Sequence, residues 1–165
     1  MAALKAGGDV AMVRHGLTTP GTGDPLGFKL EDCATQRNLI EEGREESRKL
    51  GRLLREHAVV IDRVLSSEWC RCVETAELMA VGKVEKSSPL NNLFGRPQNR
   101  AKQVQEMREL VAGWKGPGNL LLVTHGATMG ALMGINPETA AGVVLAPAAG
   151  ADEGFRVVGR LGPDG

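Results

Sequence analysis

The 165-residue chain is long enough for one domain with a proper core and too short for two comfortable ones. Twenty basic residues face twenty acidic ones and tyrosine is absent, which excludes a global field for nucleic acid or anionic lipid and leaves little base-stacking surface. Any anion site must be local, and 22 glycines, about twice the usual share, imply many tight turns and close backbone approaches.

The segment VAMV (10–13) is predicted as a short buried strand, ended by Arg14-His15-Gly16 and a loop rich in Thr, Pro and Gly that runs to Gly27. Residues 41–57 form a predicted surface helix. Gly43, Ser47, Leu50 and Leu54 mark its inner face, Glu45 and Lys49 stand as an i, i+4 pair, and His57 sits favourably at its C-terminal end. DRVLSS (62–67) is a second strand, and Ser67 is the expected N-cap of the helix that follows. There Trp69, Cys72, Val73, Ala76, Met79 and Ala80 repeat as a core stripe, from which Arg71 stands apart. A third helix is predicted from 98 to 114, with Val104, Met107, Val111 and Trp114 inward. NLLLVT (119–124) reads as a parallel strand covered on both faces and ends in His125-Gly126. GVVLAP and GFRVVG supply two late strands, the second alternating as an edge would. The sum is an α/β domain, a three-layer sandwich with a mostly parallel central sheet.

No apolar run approaches the roughly 20 residues of a membrane span, and MAALKAGGDV lacks the apolar centre of a signal peptide. Cysteines 33, 70 and 72 are too few and too irregular for a disulfide framework. They are expected to be reduced, Cys72 in the core and Cys70 partly buried, in a cytoplasmic protein, with export open if a leader precedes this segment. Cys70 and Cys72 point about 200° apart on a helix and cannot chelate one metal, so no metal or cofactor is expected. No phosphate-binding Gly-x-x-x-x-Gly-Lys loop occurs.

His15 and His125 share one context, an apolar strand followed by His and Gly. At the carboxyl ends of strands in an open α/β sheet, both imidazoles would project where such folds bind ligands. Arg71, in the first turn of a helix, sits mildly unfavourably at the positive end of the macrodipole unless an anion lies beside it. Arg14 and Arg37 could complete a phosphate site.

Four blocks in order, VRHGLT (13–18), TQRNLIEEGREESRKLG (35–51), VLSSEWCRCVETAELM (64–79) and LLLVTHGATMGAL (120–132), resemble the histidine phosphatase superfamily, a phosphoglycerate mutase-like fold, and within it a small bacterial branch with some exported members. The resemblance implies that His15 takes the phosphoryl group as a phosphohistidine and that Arg14, Arg71 and His125 surround its oxygens, with Arg37, Thr18 and Gly16 binding substrate. Many members carry an acidic proton donor four residues before a glycine. In LNNLFGRP that position is Asn91, which leaves Asp24, Asp32 and Glu138 as replacements. A phosphatase acting on a phosphorylated small molecule or phosphoprotein is therefore expected, with a catalytically weak phosphate- or phosphoprotein-binding module of the same fold as the alternative and the oligomeric state open.

Overall fold

Six strands join in one sheet in the computed structural model, which describes residues 1–164. They are β1 (Val10–Arg14), β2 (Ile61–Ser66), β3 (Val84–Lys86), β4 (Asn119–Thr124), β5 (Gly142–Pro147) and β6 (Phe155–Leu161), in the order β3-β2-β4-β1-β5-β6. The first four in that order are mutually parallel, and β5 and β6 run antiparallel to their neighbours. The helices are α1 (Ala2–Ala6), α2 (Glu41–Glu56), α3 (Cys70–Met79), α4 (Arg100–Ala112) and α5 (Gly126–Met133).

Side-chain alternation along the central strands builds the layers. Ala11 and Val13 of β1 and Leu121 and Val123 of β4 face Leu50 and Leu54 of α2 and Cys72, Ala76 and Met79 of α3. Val10, Met12, Leu120 and Leu122 face the other way, onto Val104, Met107 and Val111 of α4 and Met129 and Leu132 of α5. β4 is buried along its whole length, as its unbroken apolar run requires.

Several local expectations need correction. Glu45 pairs with Arg48 and Arg52 rather than with Lys49, which reaches Asp164; all are solvent-facing pairs of little energetic weight. α3 starts later than expected. Trp69 is still extended, so Ser67 Oγ accepts the Trp69 N–H (3.2 Å) in the turn before the helix instead of capping it. Ala80 is consequently the exposed left-handed C-cap rather than a core residue. α4 begins only after the 3₁₀ turn Pro97–Asn99, and its buried face is Val104, Met107 and Val111 as expected. β6 does not alternate: Arg156, Val157 and Val158 are exposed in succession, because a bulge opposite Val144/Leu145 breaks the period of two. His57 is the C-cap of α2, its Nδ1 2.9 Å from the Leu53 carbonyl. α1 and β3 were too short and too polar to show a period; α1 is tied down by Asn119, whose Nδ2 donates to the Leu4 carbonyl (2.7 Å).

The largest correction concerns the cysteines. Cys33 and Cys70 form a disulfide with Cα atoms 5.7 Å apart, and only Cys72 is a free, buried thiol. The partners stand 37 residues apart, one in a loop and one opening a helix, and no spacing rule reveals that the loop folds back there. With it goes the ground for a cytoplasmic assignment, which rested on reduced thiols. No helix among the described residues is long and apolar enough to cross a membrane.

Closing a loop of this length restricts the unfolded chain by about 4 kcal/mol. Replacing both Cys33 and Cys70 by serine is expected to lower the thermal midpoint by on the order of 10 °C. An unchanged midpoint in calorimetry would show that the bridge adds nothing to stability.

Candidate active site

Pairing of β1 with β4 brings the two histidines together. The register Arg14↔Thr124 places His15 and His125 one step beyond adjacent strand ends, and the His15 N–H donates to the Thr124 carbonyl (3.0 Å). The rings meet edge to face with centroids 5.4 Å apart, and the residues are 4% and 2% exposed. Both line a cavity of about 360 Å³ together with Arg14, Arg37 and Arg71, the glycine-rich turn 21–23, Asn92, Phe94 and Asn136.

The protonation of His15 follows from one hydrogen bond. Its Nδ1 lies 2.8 Å from the Gly16 carbonyl, which can only accept, so Nδ1 carries the proton and Nε2 keeps its lone pair. Burial lowers its pKa, and the Arg71, Arg14 and Arg37 guanidinium charges lower it further, to about 3, against the opposing Gly16 bond. The ring is thus neutral at ordinary pH, with the Nε2 lone pair free. His125 is likewise held well below its usual value, first by burial and then by His15 and the same arginines. Its Nε2 is committed to Ser67 Oγ at 2.8 Å, with the Cys72 sulfur 3.4 Å away. Burial pushes that thiol up to about 12, so Cys72 packs against the imidazole as an uncharged group.

Each arginine is anchored at its tip. Arg14 Nη1 donates to the Pro137 carbonyl (2.9 Å); Arg37 Nη1 donates to Thr18 Oγ1 (2.9 Å) and the Gly21 carbonyl (2.7 Å). Arg71 Nη1 donates to Asp24 Oδ1 (2.8 Å) and the Arg37 carbonyl (3.2 Å). The Nε–H groups of all three are buried without a protein partner. An unmet buried donor costs about 1–3 kcal/mol, more when charged; what favours an anion inside the cavity is the gathering of three guanidinium charges around it. Burial first, and Arg71 second, lower the pKa values of Arg14 and Arg37, the mark of cations crowded without enough counter-charge.

The remaining sequence candidates fall into two groups. Gly16 does not face the cavity: a side chain there would strike the Gly43 carbonyl, so its glycine serves close packing on α2 while its N–H donates to Thr75 Oγ1 (3.0 Å). Thr18 holds Arg37 rather than lining the cavity. Asn91 is turned away and tied to Glu68, accepting its N–H (2.9 Å) and donating Nδ2 to Oε1 (2.9 Å). The neighbouring Asn92 lines the cavity in its place. Asp32 caps a 3₁₀ turn, and Glu138 is exposed and outside the cavity. No carboxyl group lines the cavity, and no cluster of three or more potential metal ligands occurs among the described residues.

Asp24 has a role different from that of an acid. Its side chain is 3% exposed and that of Arg71 1%, and they form a buried ion pair. Burial alone would raise its pKa, but hydrogen bonds from Arg71, the Arg37 N–H and Trp69 Nε1 outweigh burial and keep it ionised. It supplies the anion that the Arg71 position called for, although it bonds only one of the three guanidinium groups. Trp69 was legible only as a core residue. It also stands edge to face with His125 at 5.4 Å and carries Arg96 over its ring at 5.0 Å. Its indole N–H has no sequence signature, since the acceptor lies in a distant loop.

A sequence model described as the histidine phosphatase superfamily (branch 1) matches residues 10–114. No curated protein matches. Among solved structures, the protein histidine phosphatase SixA complexed with tungstate is similar at 20% identity and TM-score 0.62, over 94% of this chain and 97% of that one. The open reading frame Rv3214 product from Mycobacterium tuberculosis gives 17% and 0.70, over 94% and 98%. A mycobacterial glucosyl-3-phosphoglycerate phosphatase, Rv2419c, complexed with VO3 gives 17% and 0.67, over 92% and 97%. At these identities the likenesses establish the fold.

The depressed histidine pKa values link the site to stability. Below the ordinary value of 6.5 the unfolded chain binds protons that native His15 refuses until about pH 3, so stability falls as pH falls through that window. The thermal midpoint should drop between about pH 7 and about pH 5, and drop less in His15→Asn. Parallel curves for the two proteins would contradict a neutral buried His15.

Proposed function

The chain belongs to branch 1 of the histidine phosphatase superfamily, and from that premise we propose that it is a phosphatase working through a phosphohistidine on His15. The observation that carries this reading is the free Nε2 lone pair of a neutral imidazole inside a cavity walled by three guanidinium groups. Nε2 attacks phosphorus, the N–P bond forms, and the P–O (or P–N) bond to the leaving group breaks with its electron pair on the leaving atom. Water then attacks phosphorus, the N–P bond breaks, and inorganic phosphate departs. Arg14, Arg37, Arg71 and neutral His125 hold the equatorial oxygens, where charge spreads in the transition state.

The missing carboxyl sets the substrate class. A general acid contributes about 10²–10⁴-fold, and here Asp24 is ionised and engaged while Asn91 is turned away. Good substrates are those whose leaving group needs no proton: a phosphohistidine, an acyl phosphate or an aryl ester. The likeness to SixA, itself a protein histidine phosphatase, supports the first of these, and the short 91–97 connection leaves the cavity open enough for a protein side chain. The disulfide favours an oxidising compartment.

An aryl phosphate should be hydrolysed about 10²-fold or more faster than an alkyl phosphate of similar size; equal rates sink the missing-acid argument. Radioactive phosphate should be trapped on wild type and not on His15→Ala. Tight phosphate binding with no trapping or turnover would instead establish the binding-module reading. Arg71→Ala is expected to lower kcat by about 10²–10³-fold and to weaken inhibition by phosphate; unchanged kinetics would remove Arg71 from the site.

A further inference from the structure

Beside the phosphate cavity lies a second depression of about 300 Å³ that the chemistry above leaves unused. Phe94 and Ala127 line both, so the two spaces adjoin at these residues. The walls of the second are largely apolar, formed by Leu93, Pro97 and Ala131, and its one charged lining residue is Arg100, the first residue of α4. Arg100 is exposed and takes part in none of the salt bridges among the described residues.

Phe94 is 49% exposed, yet its position is fixed. Its N–H donates to Asn92 Oδ1 (3.0 Å), the preceding Leu93 N–H donates to Thr128 Oγ1 (3.2 Å), and Gly23 (φ 73°) lies beside the ring, where an added Cβ would come to 3.2 Å from Cε1. A large ring half in water that lines two adjoining depressions offers apolar surface to a ligand.

We propose that this depression is the leaving-group subsite and that it selects substrates with a flat apolar body ending in a carboxylate: an aryl phosphate, or an aromatic acyl phosphate, carrying a second acid group. The inference rests on the phosphatase reading and deepens it. With no acid in the cavity, the favoured leaving groups are conjugated phenolates and carboxylates, which depart without a proton. Such groups are planar and apolar next to the scissile bond, which is what the Phe94–Ala127 junction meets first. Arg100 lines this depression and not the phosphate cavity, so it is the cation available to a carboxylate on that body.

Binding of non-hydrolysable phosphonates to the intact, disulfide-bonded protein tests this without needing turnover. In calorimetry, phenylphosphonate should bind at least about ten-fold tighter than methylphosphonate, a ratio that requires only about 55 Å² of ring surface to leave water. A para carboxylate on the ring should add about two- to three-fold at low salt, lost in Arg100→Glu. Ala131→Trp, which fills the groove, and Phe94→Ala, which removes its wall, should each bring the phenyl-to-methyl ratio towards one. A ratio near one in wild type, or a ratio that survives both substitutions, overturns the subsite. A ratio of ten in a protein that hydrolyses nothing keeps the subsite and rejects the phosphatase; turnover without the ratio does the reverse.

Discussion

Parallel pairing of β1, β4 and β2 is the constraint on which the site depends. Because Arg14 pairs with Thr124 and Ser66 with Val123, β1 and β4 end level and β2 one residue short of them, and the next residues out are His15, His125 and Ser67. Backbone bonds fix that level: the His15 N–H reaches the Thr124 carbonyl and the Ser67 N–H the Val123 carbonyl (2.9 Å). A slip of one residue in either ladder would turn an imidazole to the opposite face of the sheet and bury core side chains in the wrong layer. The two hydrophobic cores therefore hold the geometry of the cavity: Val13 and Val123 face α2 and α3, while Met12 and Leu122 face α4 and α5, and neither set tolerates the shift.

Charge supplies the second constraint. Three guanidinium groups line the cavity and no carboxyl group does, with Asp24 paired to Arg71 and Glu46 acting on Arg14 from outside the lining, so positive charge is in excess there. The consequences agree with one another. The histidines are driven to their neutral forms, two of the arginines are pushed below their ordinary pKa, and three Nε–H groups find no acceptor in the protein. A buried ion pair such as Arg71–Asp24 is weak evidence for stability in itself, because desolvation offsets much of the attraction. Its value here is geometric: it holds a flexible arginine in one orientation before any phosphate arrives.

What the sequence made legible follows from how local each signal is. His15 and His125 stood out because each ends an unbroken apolar run, and Arg71 because it broke a helical stripe; those patterns need only a few neighbouring residues. The inward faces of α2, α3 and α4 were legible for the same reason. Asp24 was visible only as an acid in a glycine-rich loop, and its partners Arg71 and Trp69 lie more than forty residues away. The disulfide and the indole bond of Trp69 share that non-local character. The exchange of Asn91 for Asn92 at the cavity reflects another limit. Between the 3₁₀ turn 88–90 and Gly95 no regular period exists from which the direction of a side chain can be counted.

The loop from Gly16 to Ile40 contributes two charged groups to the cavity region yet contains almost no regular structure, so its order must come from elsewhere. Cys33 is bonded to Cys70, one residue before Arg71. Gln36 accepts the Cys70 N–H on Oε1 (3.0 Å) and donates Nε2 to the Lys29 and Leu30 carbonyls. Arg37 then gives its N–H to Asp24 and receives Arg71 on its carbonyl. Each link fixes the loop to the start of α3, and the covalent one lies nearest the arginine that the loop must orient. An arginine left free would lose rotamer entropy on meeting a phosphate, and that loss would subtract directly from transition-state stabilisation. The bridge and the glutamine order the loop during folding instead, so that its Asp24 and Arg37 hold Arg71 fixed at the cavity that the strand-end histidines line.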